Sequence, residues 1–275
     1  MSREVSGGLA YLDEGPPDGE VVVLLHGWPA SSFAWRRLTP MFATRFRVLV
    51  PELTGEDLGV QNDAVTELLR SLGVERFAAV GHSHGGGVAQ LLALAGIGCG
   101  ALVLIDSIAF DQAPPTDLDP RTFVERGTVE LLDLDAGDLE ALSAATSPPP
   151  RPLDLTPHAD AMAAWELPVL ILWGEEDPYL PVALAERLGD VIGSSSVGVV
   201  PDSGHFLLED AFDSVGELIH EYLRSRYLGA PHGHEGVVML QLERRPAWVD
   251  LAPYEEDDGD AATPEAAGQE VGPNP

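Results

Sequence analysis

Lysine is absent from this chain. All 15 basic residues among the 275 are arginine, set against 45 acidic ones. The formal net charge of −30 would repel nucleic acid and an anionic membrane surface, so neither is expected as a partner. Cysteine is nearly absent as well. The lone Cys99 can close no intrachain disulfide, which excludes a fold stapled for an oxidising compartment. Long apolar runs are also missing: Leu91 to Ile105, the most apolar stretch, is too short for a bilayer and is broken by Gly96, Gly98 and Gly100. The first residues, MSREVSGGLAYLDEG, hold no apolar core of a secretory signal. A cytoplasmic location is the expectation.

What is present is enough apolar material for a core. Hydrophobic residues make up 45% of the chain and the mean hydropathy is +0.04, which excludes a wholly disordered protein. Short Val/Ile/Leu-rich runs alternate with helical patterns. The runs are Val21–Leu25, Arg47–Val50, Phe77–Val80, Ala101–Ile105, Val169–Trp173 and Val197–Val200. Such runs suit strands buried on both faces. The helix candidates are Ser32–Ala43, Asp63–Leu72, His84–Ala95, Val182–Leu188 and Ala211–Tyr227, and Leu9 to Asp13 reads as an edge strand. The alternation predicts an α/β fold: a mostly parallel, doubly wound sheet with helices on both faces.

Two stretches break the pattern. Residues 111–165 lack a buried-strand signal and read as a short helical cap inserted into a core formed by 1–110 and 166–228. Residues 229–251 form an extension in which Gly236–Leu242 could add a strand. The acidic Pro/Gly/Ala-rich tail, 252–275, has too little apolar surface to order itself and is expected to be disordered.

The chemistry centres on Gly81-His-Ser83-His-Gly85, which fits G-x-S-x-G between a strand and a helix. A serine on so sharp a turn needs small residues two positions to either side, because a Cβ there would strike the adjoining strand or helix. Its hydroxyl also needs a base, and the base needs a carboxylate to orient it. Of eight histidines, His205 follows a strand through Pro201-Asp-Ser-Gly204, at an end where doubly wound sheets gather their sites. His82 and His84 flank the serine, with side chains expected to diverge from it. His232 and His234 form an H-x-H better read as a solvated turn than as a metal site. For the carboxylate, Asp177 in the turn Gly174-Glu-Glu-Asp177-Pro178 is favoured, with Asp106 as its rival. An oxyanion would be held by the backbone N–H groups of Trp28 and His84, with Gly27 and Pro29 turning the first inward. Trp28, Phe110, Phe123 and Trp165 are the candidate substrate-binding residues.

HGWP at 26–29, GHSHGG at 81–86, GEEDP at 174–178 and GHFLLE at 204–209 resemble four motifs of the α/β-hydrolase family. They stand in the family's order, over about residues 1–228. The stretch HGWPASSFAWRRLTPMFATRFRVLVPELTG is similar to the epoxide-hydrolase and dehalogenase-like branch, whose nucleophile is aspartate. Ser83 points instead to the esterase, perhydrolase and carbon–carbon hydrolase branches. The resemblance implies a serine hydrolase that cleaves a small carboxylic ester, thioester or lactone through an acyl-enzyme. Its alternatives are a non-hydrolytic acyltransferase, lyase or cofactor-free perhydrolase, or a silent binding scaffold. The loop after Gly55 and the cap are both shorter than the family's, which removes pocket walls. No motif calls for a metal or an organic cofactor, and the oligomeric state is left open.

Overall fold

The computed structural model describes residues 4–6, 8–28, 30–55, 57–110, 151, 153–228 and 238–241. Its strands are β1 (Glu4–Ser6), β2 (Leu9–Glu14), β3 (Val21–Leu25), β4 (Arg47–Pro51), β5 (Phe77–His82), β6 (Cys99–Ile105), β7 (Val169–Gly174), β8 (Ser195–Val200) and β9 (Val238–Gln241). They pair into one sheet in the order β1-β2-β4-β3-β5-β6-β7-β8-β9. The β1–β2 and β2–β4 pairings are antiparallel. Every other pairing is parallel. The helices are α1 (Leu38–Phe42), α2 (Leu58–Ser71), α3 (His84–Leu94), α4 (Ala159–Ala163), α5 (Ala183–Val191), α6 (Leu207–Asp210) and α7 (Phe212–Tyr222).

The pleat divides each central strand between two cores. Val21, Val23 and Leu25 of β3 lie in one, with Val65 and Leu68 of α2, Val88 and Leu92 of α3, and Leu184 and Leu188 of α5. Val22 and Leu24 lie in the other, with Trp35, Phe42 of α1, and Val215 and Ile219 of α7. Burying each such Val or Leu contributes about 1.5–3 kcal/mol. With helices on both faces, no position in β3 faces water, which is why the strand reads as an unbroken apolar run.

Several boundaries differ from the sequence expectation for local reasons. The segment Ser32–Ala43 is two pieces, a 3₁₀ turn over Ser32–Trp35 and then α1. Pro40 has no N–H to offer the preceding turn, so one continuous helix cannot form. Helix α2 starts at Leu58 and not near Asp63, because Asp57 caps it, accepting from Gly59 N (2.8 Å) and Val60 N (3.2 Å). Strand β2 is second from the edge. The chain before it turns through Gly8 (φ 82°) and adds β1, and Tyr11 Oη donates to Glu4 Oε2 across the pair (2.9 Å). The expected last helix is α7 followed by a π-helical turn, Leu223–Leu228. The strand anticipated within 236–242 is β9, which extends the sheet beyond β8.

Most of the expected cap (111–150 and 152), Phe123, His232, His234 and the tail lie outside the described residues. The end of the cap segment joins the core: Leu155 is buried and its N–H bonds to Ala109 O at 2.8 Å. No helix among the described residues is long and apolar enough to cross a membrane.

Candidate active site

Because β3 and β5 to β8 are parallel, their C-terminal ends share one edge of the sheet, and the loops leaving that edge carry the candidate residues. Ser83 sits between β5 and α3 with φ 53° and ψ −120°, a conformation that L-residues rarely adopt. The surroundings hold it there. Ser83 N donates to Ile105 O (2.9 Å), while its carbonyl accepts from Gly86 N (3.0 Å) and Ile108 N (3.2 Å). The glycines are required by contact. A Cβ on Gly81 would meet the backbone of Gly85, and one on Gly85 would meet the carbonyls of Leu25 and His26. A Cβ on Gly27 would stand 2.6 Å from Ser83 Cβ.

The expected base and acid converge on this serine. His205 Nε2 lies 3.1 Å from Ser83 Oγ, and His205 Nδ1 lies 2.7 Å from Asp177 Oδ2. Both partner side chains are fully buried. The other oxygen of Asp177 accepts from Tyr179 N (2.8 Å) and Leu180 N (3.0 Å), which fixes the carboxylate's rotation. The acid and histidine loops are stitched together, Glu176 N donating to Ser203 O at 2.8 Å. Glu175 and Glu176 are themselves exposed. A partly buried ion pair ties the histidine side to the segment after the Trp28 loop: Arg36 grips Glu209 with two bonds of 2.7 and 3.0 Å.

Asp106, the rival acid, ends β6 with φ 41°. It is completely buried, one oxygen accepting from Gly174 N (2.8 Å) and the other without a partner among the described residues. Burial, then the negative charge of Asp177, push its carboxyl well above the usual range. That environment favours a neutral group bracing the start of the acid turn.

Both flanking histidines belong to the site, which the sequence reading missed. His82 packs against His205 with the rings tilted and their centroids 4.9 Å apart, and its Nε2 donates to His205 O at 2.7 Å. The side chain of His84 does not diverge from the serine: its Nδ1 is 3.3 Å from Ser83 Oγ. Burial, followed by the electrostatic effect of His205, lowers both rings to about 3, so each is neutral near pH 7. The H-S-H sequence was the available signal.

Trp28 packs edge-on against His84, with centroids 6.4 Å apart. The His84 amide opens α3, where helix geometry provides no intrahelical acceptor. Phe110 is buried beneath the guanidinium of Arg187 on α5. Trp165 is not brought to the triad. It stands just ahead of β7, its carbonyl accepting from Ser194 Oγ (3.2 Å) just ahead of β8, at the opposite edge of the sheet. His26 is structural, bonded through Nδ1 to Gly27 O (2.8 Å) and through Nε2 to Leu53 N (2.9 Å).

One neighbouring carboxyl makes stability depend on pH. Asp210 caps the histidine loop, accepting from Gly204 N at 2.8 Å. Burial above all, then the charges of Glu209 and Glu176, raise it to about 6. A carboxyl raised on folding binds more protons folded than unfolded, so it lowers stability as pH climbs from about 4 to 6. Asp210→Asn keeps an acceptor for Gly204 and should flatten that part of a melting-temperature profile. An unaltered slope would contradict the assignment.

The alpha/beta hydrolase family model matches residues 22–218. The chain is 28% identical over 259 residues to the magnesium-chelatase 30 kDa subunit of Rhodobacter capsulatus, covering 77% of this chain and 89% of that one. It is 38% identical over 91 residues to the soluble epoxide hydrolase of Corynebacterium sp. strain C12, covering 30% and 31% of the two chains. A thermophilic esterase from Thermogutta terrifontis superposes with a TM-score of 0.64 at 23% identity, over 82% of this chain and 99% of that one. This last likeness speaks to the fold alone.

Proposed function

Since the chain belongs to the alpha/beta hydrolase family, we propose that it is a serine hydrolase cleaving a small carboxylic ester, thioester or lactone. The observation that carries this reading is the unbroken relay from Asp177 through His205 to Ser83, with contacts of 2.7 and 3.1 Å. Ser83 Oγ attacks the carbonyl carbon as His205 Nε2 takes its proton. Asp177 holds the imidazole in the tautomer that can accept that proton and stabilises the cation that forms. The amides of Trp28 and His84 take the developing oxyanion, and each such donor is worth about 3 kcal/mol in the transition state. His205 then protonates the leaving alcohol. Water, deprotonated by the same ring, releases the acid and regenerates Ser83.

The chain's strongly negative charge favours neutral acyl groups. A panel of p-nitrophenyl esters of rising chain length, with thioester and lactone substrates beside it, tests the reading. Turnover should favour short-to-medium neutral acyl chains and vanish in Ser83→Ala. Turnover that survives in Ser83→Ala would contradict it.

A second reading, a non-hydrolytic role of the same fold, is favoured by the chain-wide similarity to the Rhodobacter capsulatus subunit. Under it, wild type and Ser83→Ala behave alike on every ester.

A further inference from the structure

His84 is not spent by the reaction above, which uses only its backbone. Its imidazole is 2% exposed and uncharged near neutral pH, so it carries one ring proton. Counting hydrogens decides where that proton sits. The Ser83 hydroxyl has one hydrogen, committed to His205 Nε2, because His205 Nδ1 must donate to the Asp177 carboxylate. The remaining contact of Ser83 Oγ, with His84 Nδ1 at 3.3 Å, is then a hydrogen bond only if Nδ1 is the protonated nitrogen. His84 Nε2 is left as a bare lone pair. It is buried and has no hydrogen-bond partner among the described residues. An unpaired acceptor away from water carries a desolvation penalty, which is relieved when a ligand supplies a donor. This acceptor lies one imidazole ring away from the nucleophilic oxygen, on a ring flanked by Trp28.

We propose that His84 is a second catalytic histidine of this site, donating through Nδ1 to Ser83 Oγ and accepting through Nε2 a hydroxyl carried by the substrate beside its scissile carbonyl. The inference rests on the serine-hydrolase reading and narrows its substrate class to hydroxy esters. As Oγ loses its proton to His205, the Nδ1–H bond strengthens on the developing negative charge. The same ring selects the substrate, because a site built to pair with a hydroxyl rejects the analogue that lacks it.

Two ester pairs in which a hydroxyl replaces a methyl group test this: ethyl lactate against ethyl isobutyrate, and ethyl 3-hydroxybutyrate against ethyl isovalerate. In wild type, kcat/KM should favour the hydroxy member of at least one pair. Comparison with His84→Phe cancels the intrinsic reactivities, and there the preference should fall about tenfold. His84→Asn restores a donor near Oγ without the Nε2 acceptor. It should recover part of the kcat that His84→Phe loses on the plain ester, but not the hydroxyl preference. A long-range ¹H–¹⁵N spectrum of histidine-labelled protein reads the tautomer without reference to activity, and Nδ1–H is expected. Unchanged preferences in both variants, or a proton on Nε2, would overturn the inference. A fluorophosphonate adduct on Ser83 separates the two claims. Adduct with unchanged preference defeats only the role of His84, whereas no adduct on folded protein defeats the hydrolase reading beneath it.

Discussion

Asp177→Asn should lower kcat by about 10⁴, while Asp106→Asn should change it less than tenfold. With its oxygen kept by the Tyr179 and Leu180 amides, an asparagine at 177 would turn its N–H toward His205 Nδ1, favouring the tautomer that cannot accept the serine proton. In a comparable triad that change costs about 10⁴. It also removes the charge that stabilises the imidazolium, at a carboxylate only 2.7 Å away and fully buried. Asp106 differs in kind. Its environment already favours the neutral acid, and asparagine preserves the oxygen that accepts from Gly174 N. Steady-state kinetics on one responsive ester decides the matter. Comparable losses at both positions would leave the acid unassigned, and a loss confined to Asp106 would reverse the assignment.

The second large effect is on folding. Gly85→Ala, a one-carbon change, should destabilise the protein by roughly 3 kcal/mol, the upper end of the usual cost of overpacking. The added carbon would be driven against the Leu25 and His26 carbonyls, which are backbone and cannot rotate away. Relief requires α3 to lift from β3, and with it the serine turn. At roughly 2–4 °C per kcal/mol for a domain of this size, the melting temperature should drop by several degrees. Gly96→Ala makes a control: no atom lies within 4 Å of its Cβ position, and only its φ of 65° resists the change. It should be clearly the milder of the two. Equal melting temperatures for wild type and Gly85→Ala would contradict the close packing of the elbow.

What the sequence made legible follows from where its information is local. The buried parallel strands stand out because both faces demand apolar residues, so β3, β5 and β7 appear as runs with little ambiguity. Ser83, Asp177 and His205 could be read because each follows such a strand and the parallel order brings those ends together. Side-chain relations across the elbow could not. Whether His84 turns toward Ser83 Oγ depends on the unusual backbone at Ser83, which spacing alone does not encode. Trp165 ends the inserted segment in sequence, yet the chain has by then reached the far edge of the sheet to begin β7. The sequence does not separate two starts for α2, because Asp57 and Asp63 are chemically equivalent caps. Only the geometry shows that Asp57 holds the first amides.

The central claim is that Ser83 is a nucleophile activated by His205 and Asp177. Fluorophosphonate labelling followed by intact-mass analysis tests it most directly, because the probe needs the activated serine but no knowledge of the substrate. One adduct per chain on the wild type, located on the peptide containing Ser83, lost in Ser83→Ala and much slowed in Asp177→Asn, is the expected result. Folded wild-type protein that takes up no adduct, or an adduct that persists in Ser83→Ala, would contradict the account.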